Sequence, residues 1–429
     1  MQVIVMKMRP VLPVAIYPGI DQLVMKAVRF IENAEERRRG ITTYQILQEG
    51  VCPGLSECGN GEKPDKEETI KDKPLHSGKL SELSLAATTK NYLRMKLVSY
   101  LKDENEQLGV LIDDRIYDVE LIHPDIPHTM NMFLNYWEEL LPLVQAGELA
   151  ILDRETHSNK SIPWESVSLL APVPLPSSCR DGYAFRQHVA AARRNRKVPM
   201  IPEFDQYPVF YFTNHHGIQG PGDVRCMPDH FEKLDFELEV AIVIAKHGRN
   251  IPAAEADEYI AGLMIMNDLS ARTLQSEEML LNLGPAKGKD FATAIGPWLV
   301  SLDELAEFEV PCKEGHTGKS WNLRMQCRVN GVQVSDGNLA DMDWTFAELI
   351  ERASYGVDLY PGDVIGSGTV GTGCFLELNG TGKLDDPNYP EQWLQENDVI
   401  ELEVDGLGIL SNTIVREDSD LSLLAIKKK

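Results

Sequence analysis

The sequence of 429 residues has no C-x-x-C pair, and its seven cysteines are scattered and odd in number. A disulfide framework uses paired cysteines in an oxidising compartment, so reduced thiols and a cytoplasmic location are expected here. No apolar run approaches the roughly 20 residues that span a bilayer. Prolines interrupt the N-terminal segment 1–18, which makes it a poor signal peptide. The sequence therefore predicts neither a membrane partner nor secretion.

The chain is also poor in positive charge. Lys and Arg number 42 against 66 Asp and Glu, which gives a net charge of −24. This acidic balance disfavours nucleic acids and anionic membranes as partners. The sequence contains neither a G-x-G-x-x-G motif nor a P-loop, so the two common nucleotide-binding loops are absent. A hydrophobic fraction of 43% and a charged fraction of 25% are ordinary for a soluble globular protein.

Three regions follow one another along the chain. Residues 1–94 have one amphipathic pattern, which predicts a helix over 21–39, and a stretch over 52–81 rich in Gly, Pro and charge that predicts little stable structure. The functional protein is expected to begin near Met95, with the preceding residues as an appendage or a mis-assigned start. Residues 95–172 predict a small N-terminal α/β module, and a proline-rich linker then leads into the third region, 173–429.

The small module is predicted from local patterns. Alternating and β-branched runs indicate strands over 95–100, 108–112 and 115–119, and apolar clusters indicate helices near 130–134 and 140–144. The third region is richer in strand patterns. The chain as a whole is therefore expected to be mixed α/β with strands dominating.

The stretch 234–244, LDFELEVAIVI, is predicted to be a buried strand. Alternate side chains of a strand share a face, so Glu237 and Glu239 are expected to project together. Two carboxylates at one strand end repel each other and are costly to bury unless a cation neutralises them. A lone E-x-E is more often a solvated strand face, but this one leads into an almost wholly apolar run.

Two further acids are placed to join this pair. A helix is predicted over 253–258, and the apolar strand that follows over 261–266 ends at Asp268. Asp181 comes just after the proline-rich linker. Four carboxylates without paired His or Cys favour a hard divalent ion such as Mg²⁺, Mn²⁺ or Ca²⁺, and they disfavour zinc.

Several motifs in a fixed order resemble the fumarylacetoacetate hydrolase family over about 175–415. They are Asp181-Gly182-Tyr183, Arg186-Gln187-His188, Pro208-Val209-Phe210-Tyr211, Leu234-Asp235-Phe236-Glu237-Leu238-Glu239, Met266-Asn267-Asp268-Leu269-Ser270-Ala271-Arg272, Gly288-Lys289-Asp290-Phe291, Ser367-Gly368-Thr369 and Phe375-Leu376-Glu377-Leu378. The resemblance implies an α+β fold, a mixed and β-dominated sheet roll as the catalytic domain over 173–429, and a homodimer.

The resemblance also implies a reaction, which is metal-dependent hydrolysis of a carbon–carbon bond in a small β-diketo acid. Fumarylacetoacetate, cleaved to fumarate and acetoacetate in aromatic amino acid catabolism, is the first expectation. A divalent ion would stabilise the departing carbanion as an enolate, and His188 would deprotonate the attacking water. Glu377 would orient His188.

The remaining roles are carried over motif by motif. The implied metal ligands are Asp181, Glu237, Glu239 and Asp268, with Lys289 and Thr293 close to the ion. The implied donors to the developing oxyanion are Lys289, Gln275 and Arg272. The implied substrate-binding residues are Tyr183, Tyr211, Lys197, Gln275 and Thr369.

Two positions depart from the fumarylacetoacetases. Lys197 stands where they carry a substrate-binding Arg nine residues after the His, and Met279 stands where they carry a Tyr. A lysine still meets a carboxylate but lacks the bidentate fork of arginine. An acylpyruvate hydrolase, a β-keto acid decarboxylase, a 2-oxo acid hydratase or a catalytically silent divalent-cation-binding protein therefore stay open as alternatives.

Overall fold

The computed structural model describes residues 95–153 and 160–428. The helix expected over 21–39 and the stretch over 52–81 lie outside the described residues. In chain order the strands are β1 (Lys96–Lys102), β2 (Asn105–Ile112), β3 (Arg115–Asp118), β4 (Ile162–Pro163), β5 (Cys179–Gly182), β6 (Phe210–Thr213), β7 (Ile218–Gln219), β8 (Gly222–Cys226), β9 (Leu234–Asp235), β10 (Leu238–Ile244), β11 (Gly248–Arg249), β12 (Ile260–Asp268), β13 (Ser270–Ala271), β14 (Thr293–Ser301), β15 (Glu309–Val310), β16 (Ser320–Trp321), β17 (Arg324–Val329), β18 (Val332–Asn338), β19 (Asp358–Leu359), β20 (Val364–Gly366), β21 (Val399–Val404) and β22 (Gly408–Arg416).

The α-helices are fewer and mostly short. They are α1 (Val119–Ile122), α2 (Met130–Leu134), α3 (Trp137–Asp153), α4 (Arg186–Asn195), α5 (Ala253–Ala256), α6 (Arg272–Met279), α7 (Phe346–Ser354) and α8 (Phe375–Asp385). Short 3-10 turns cover Trp164–Ser166, Pro202–Asp205, Pro228–Glu232, Asp257–Tyr259, Ala306–Phe308 and Leu339–Asp341. None of the helices in the described part of the chain has the length and apolarity that a bilayer crossing requires.

An 11-stranded sheet forms the centre of the fold. Ten of its strands lie side by side in the order β4-β3-β2-β1-β14-β12-β10-β20-β5-β6, and β7 pairs with β14. The strands predicted within 95–119 are confirmed, and β1 joins the sheet by pairing with β14. Residues 95–118 therefore extend the same sheet that carries β10 and β12.

Both faces of β10 are covered, which explains its apolar sequence. Val240, Ile242 and Ile244 join a core cluster shared with the second sheet, whose five strands run in the order β18-β17-β21-β22-β8. Ala241 and Val243 point to the opposite face and join a cluster with residues of β1, β2, α2 and α3. A strand buried on both faces needs apolar side chains at nearly every position. The β-dominated α+β fold that the sequence predicted is confirmed.

The strand predicted over 234–244 is interrupted, contrary to expectation. β9 ends at Asp235 and β10 begins at Leu238, so Phe236 and Glu237 lie between two strands. The backbone N–H of Glu237 donates to the side-chain oxygen of Asn267 at 3.0 Å instead of to a strand carbonyl. The chain thereby changes partner, from β13 before the break to β12 after it.

A glycine in β20 makes room for one of the predicted ligands. Gly366 lies opposite Asp181 in the parallel pairing of β20 with β5. A Cβ atom at residue 366 would lie 2.5 Å from Oδ1 of Asp181 and 2.8 Å from the sulfur of Met266. The close approach of Asp181 to the middle of the sheet therefore depends on this glycine.

We expect Gly366→Ala to lower the free energy of unfolding by about 1–3 kcal/mol, the usual cost of overpacking, and to weaken divalent-ion binding by displacing Asp181. Urea unfolding and Mn²⁺ titration measure the two effects. Gly109→Ala is the matched control, because its Cβ would crowd Ile116 at 2.4 Å in the same sheet without touching Asp181. Equal Mn²⁺ affinities in the two variants would contradict the role given to Gly366.

Candidate active site

Three carboxylates from three strands meet at one place in the main sheet. Asp181 lies on β5, Glu239 lies near the start of β10, and Asp268 ends β12. One oxygen of each carboxylate lies within 4.8 Å of an oxygen of the other two. Glu239 and Asp268 are fully buried and Asp181 is 4% exposed. The sheet thus brings together three of the four side chains that were expected to hold a metal.

The electrostatics of this carboxylate cluster fit a cation. Burial, with the negative charge of Asp268, raises the pKa of Asp181 to about 7. Burial and the neighbouring Asp181 also raise the pKa of Glu239. Oε2 of Glu239 and Oδ1 of Asp268 have no hydrogen-bond partner among the residues that the structure describes. Buried, mutually repelling oxygens with free lone pairs are the donor set of a hard divalent ion.

Glu237, the fourth expected ligand, has different partners. Its carboxylate accepts a hydrogen bond from Arg272 at 2.7 Å and forms an ion pair with Lys289. Burial alone would raise the pKa of Glu237, but the charges of Arg272 and Lys289 outweigh it and hold the pKa below its usual range. Nζ of Lys289 also lies 2.5 Å from Oδ2 of Asp268. Lys289 therefore bridges Glu237 to the carboxylate cluster.

Arg272 is fixed by a second buried acid, Asp235. Nε of Arg272 donates to Oδ2 of Asp235 at 2.8 Å, and Nη1 donates to the side-chain oxygen of Gln275 at 3.0 Å. Asp235 also accepts the backbone N–H groups of Phe375 at 2.7 Å and Leu376 at 3.0 Å, at the start of α8. The guanidinium is thus oriented before any ligand arrives.

A histidine and a glutamate form a dyad beside these groups. Nδ1 of His188, on α4, lies 2.7 Å from Oε2 of Glu377, on α8. Oε1 of Glu377 accepts the backbone N–H of Thr372 at 3.0 Å, which fixes the carboxylate. An ionised carboxylate only accepts, so Nδ1 is the donor and Nε2 is left to take a proton.

The dyad adjoins the buried ion pairs. A donor atom of His188 lies within 4.8 Å of donor atoms of Glu237 and Cys374. Cys374 is a buried residue that sequence reasoning missed, because it lies in no motif and only precedes the first turn of α8. The five cysteines of the described residues, Cys179, Cys226, Cys312, Cys327 and Cys374, are all free thiols.

One cavity of about 750 Å³ is lined by the dyad and by Asp181 of the carboxylate cluster, whereas Glu239 and Asp268 do not belong to its lining. Ten of the expected site residues line it, namely Asp181, Tyr183, His188, Tyr211, Glu237, Arg272, Gln275, Lys289, Thr369 and Glu377. The hydroxyl of Tyr211 donates to Oδ2 of Asp268 at 2.6 Å, and that of Thr369 donates to Oε1 of Glu239 at 3.3 Å. Thr293 is buried opposite Asp268 in the pairing of β14 with β12, outside the cavity lining.

The structure does not bring Lys197 into this cavity. α4 ends at Asn195, and Lys197 lies in the turn after it, exposed and with a left-handed φ of 57°. Arg196 lines the cavity in its place. Lys233, Lys383, Glu391 and Trp393 also line it and were missed, because they belong to no motif. Met279, the second departure from the fumarylacetoacetases, lies in the lining as well.

Known proteins share these sequence features. Residues 178–415 match the family described as "Fumarylacetoacetate (FAA) hydrolase C-terminal". The chain is 30% identical over 333 residues to the rat protein "Oxaloacetate tautomerase Fahd2a, mitochondrial", covering 75% of this chain and 92% of that protein. It is also 30% identical to the human "Oxaloacetate tautomerase FAHD2B, mitochondrial", covering 70% of this chain and 84% of that protein.

Solved structures agree on the fold. The fumarylacetoacetate hydrolase from Exiguobacterium antarcticum has a TM-score of 0.53 at 23% identity, with 75% of this chain and 100% of that chain covered. The maleylpyruvate hydrolase from Sphingobium sp. SYK-6 has a TM-score of 0.53 at 20% identity, with the same coverage, 75% and 100%. Together with the match over 178–415, these findings show that the chain belongs to the fumarylacetoacetate hydrolase family.

Proposed function

We propose that this protein is a divalent-metal-dependent enzyme that moves a proton at the carbon next to the carbonyl of a 2-oxo acid. Keto–enol tautomerisation of an oxaloacetate-like acid is the proposed reaction. The observation that carries the proposal is the dyad of His188 and Glu377, 2.7 Å apart, in a cavity that Asp181 of the carboxylate cluster also lines. The names of the rat and human relatives support the choice of substrate.

Asp181, Glu239 and Asp268 would hold the ion, for which the oxygen-only donor set favours Mg²⁺ or Mn²⁺, with Ca²⁺ as the alternative. When bound, the ion would act as a Lewis acid on the 2-oxo group and its enolate oxygen. Lys289 balances the charge of Asp268 and Glu237 and keeps the carboxylates from repelling an anionic substrate.

The proton transfer itself needs only the dyad. Glu377 binds Nδ1 of His188, which lines the cavity, and so leaves Nε2 as the acceptor nitrogen. Nε2 takes the proton of the enol hydroxyl and returns one to the neighbouring carbon, so that one O–H bond breaks as one C–H bond forms. No co-reactant is consumed. Arg272, Gln275 and Lys289 would donate to the enolate and carboxylate oxygens, and Tyr183, Tyr211 and Thr369 would position the substrate.

Hydrolysis of a carbon–carbon bond in a β-diketo acid, with fumarylacetoacetate first, is the second candidate. The dyad favours it too, because Nε2 can as readily take a proton from water. The cavity of about 750 Å³ also accommodates a longer acid. A homodimer, as the family resemblance implies, and a cytoplasmic location, as the free thiols suggest, belong to this proposal. The names of the rat and human relatives describe those two proteins as mitochondrial.

We expect His188→Gln to lower kcat for the enol of oxaloacetate by about 10²–10⁴-fold, the usual contribution of a general acid–base group, while Mn²⁺ affinity stays unchanged. Glu377→Gln should lower kcat less, because the imidazole remains in place. Loss of enol absorbance in the presence of Mn²⁺ measures tautomerisation, and chromatography of β-diketo acid mixtures detects cleavage.

His216→Gln is the control, since His216 is an exposed turn residue that does not line the cavity. Turnover that survives His188→Gln would refute the proposed base. Cleavage of diketo acids without tautomerase activity would select the second candidate. Acylpyruvate hydrolysis, decarboxylation or hydration would each show by its own products, and metal binding without any turnover would indicate a silent binder.

Metal binding is expected to weaken as the pH falls below about 7. The pKa of Asp181 is about 7 in the metal-free protein because of burial and Asp268, so protons compete with the ion on the acid side. Each displaced proton should lower Mn²⁺ affinity about tenfold per pH unit below that pKa, with proton release on binding. Calorimetry at pH 6 and 8, in buffers of different ionisation heat, measures both.

The variant Glu239→Gln should lose Mn²⁺ binding at either pH, because it removes a buried ligand. Glu255→Gln, an exposed glutamate on α5, is the matched control and should bind like the unchanged protein. Equal affinity at pH 6 and 8, without proton release, would argue against the carboxylate cluster as the metal site.

A further inference from the structure

The cavity extends well beyond the groups that the proposed reaction uses. Its volume of about 750 Å³ lies in the range of roughly 300–1,000 Å³ that holds drug-sized ligands, which is far more than a four-carbon acid needs. Its remaining lining combines charged residues with apolar ones. The charged residues are Arg196, Lys233, Lys383 and Glu391, and the apolar ones include Val209, Met279, Leu376 and Trp393.

We call these remaining lining residues the outer end of the cavity. Glu391 contacts three of them, namely Lys233, Lys383 and Trp393. Nζ of Lys233 lies 3.4 Å from Oε2 of Glu391, and Lys383 forms an ion pair with Oε1. The indole N–H of Trp393 donates to Oε2 at 2.9 Å. These hydrogen bonds from Lys383 and Trp393 lower the pKa of Glu391 to about 2, so the carboxylate stays ionised. Nζ of Lys233 also lies 5.3 Å from the centre of the Trp393 ring.

The outer end carries more positive than negative charge. Arg196, Lys233 and Lys383 contribute cations, and Glu391 is the one carboxylate among these charged lining residues. This excess occurs in a chain whose net charge is −24. A positively charged outer end of a cavity in an acidic protein attracts anionic ligands and repels cations.

Hydrogen bonds and packing hold the chain segment that carries Glu391 and Trp393 to the rest of the fold. The backbone N–H of Leu394, which is fully buried, donates to the carbonyl of Leu234 at 2.8 Å. The side chain of Asn379 donates to the carbonyl of Gln392 at 2.8 Å and accepts its N–H at 2.9 Å. Trp393 packs against the main core cluster. The indole and Glu391 therefore keep their positions without a ligand.

Helix α8 joins the two ends of the cavity. Glu377 of the dyad and Lys383 lie six residues apart on α8, which is about 9 Å along a helix axis at 1.5 Å per residue. The head of a ligand, meaning its 2-oxo carboxylate end, would lie beside the dyad. The other end of the ligand must then reach over this distance to meet Lys383. The apolar side chain of Leu376 lines the cavity as well.

Resting on the proposed function, we propose that Lys233, Lys383 and Trp393 form a second subsite for the distal carboxylate and apolar stem of a 2-oxo acid longer than oxaloacetate. The head would bind at Arg272 and Lys289, and the distal carboxylate would share the two lysines with Glu391. The substrate class is therefore a long 2-oxo or β-diketo dicarboxylic acid. Lys197, expected from its position in the sequence to meet this carboxylate, has no part in the subsite.

Inert analogues test this subsite without turnover. N-oxalylglycine, N-oxalyl-β-alanine and N-oxalyl-γ-aminobutyrate carry one oxalyl head and place the distal carboxylate progressively further away. N-alkyl oxamates of matching length lack that carboxylate. With the full-length Mn²⁺-loaded protein, calorimetry should show affinity rising about tenfold along the charged series, as expected for two partly exposed ion pairs. The neutral series should show a smaller rise.

Two variants locate the effect. Lys233→Ala combined with Lys383→Ala should remove the advantage of the charged series while leaving N-oxalylglycine binding unchanged. Trp393→Ala should weaken the longer members of both series, because it removes the stem contact. Lys197→Ala is the matched control and should behave like the unchanged protein. Lys233→Arg with Lys383→Arg should restore part of the advantage.

The outcomes separate the subsite from the proposed function. Equal affinities for the charged and neutral compounds at every length, with the oxalyl head still bound, would overturn the subsite alone. Failure of every oxalyl compound to bind the Mn²⁺-loaded protein would count against the proposed function and against the subsite with it. If the double lysine variant does not fold, the length series on the unchanged protein still decides.

Discussion

The structure depends on how the negative charge of its buried carboxylates is compensated. Asp181, Glu237, Glu239 and Asp268 lie close together with little access to water, and such a group is unstable unless cations accompany it. Lys289 and Arg272 supply part of that charge, and both pair with Glu237. Lys289 also pairs with Asp268, and Arg272 also pairs with Asp235. Glu239 and Asp268 each keep one oxygen without a hydrogen-bond partner among the described residues. A further positive charge at the carboxylate cluster would therefore stabilise the folded protein.

The sequence predicts the carboxylate cluster better than it predicts the residues around the cluster. Glu239 and Asp268 could be placed because strand alternation and a strand end are local patterns, and β10 and β12 follow them. The position of Glu237 could not be predicted, because the break before β10 depends on the side chain of Asn267, which is distant in sequence. The end of α4 decides that Arg196 and not Lys197 lines the cavity. Residues 386–396 have no periodicity, so their contribution to the cavity became visible only in the fold.

The proposed function uses only part of the cavity. A cluster of carboxylates beside a histidine–carboxylate dyad supports enolate chemistry of several kinds, because stabilising an enolate oxygen and moving a proton are common to them. In the proposed subsite, the groups that would distinguish one acid from another are Lys233, Lys383 and Trp393, which belong neither to the dyad nor to the carboxylate cluster. Fold and central chemistry can thus stay constant while the outer wall changes.

Asp235 gives the site a mechanical property. One fully buried carboxylate binds both Arg272 and the first turn of α8, and the same helix carries Glu377 and Lys383. Asp235 therefore fixes the guanidinium of Arg272 and the start of the helix that carries Glu377 and Lys383 at one point. The positions of the guanidinium, of Glu377 and of Lys383 are therefore not independent of one another.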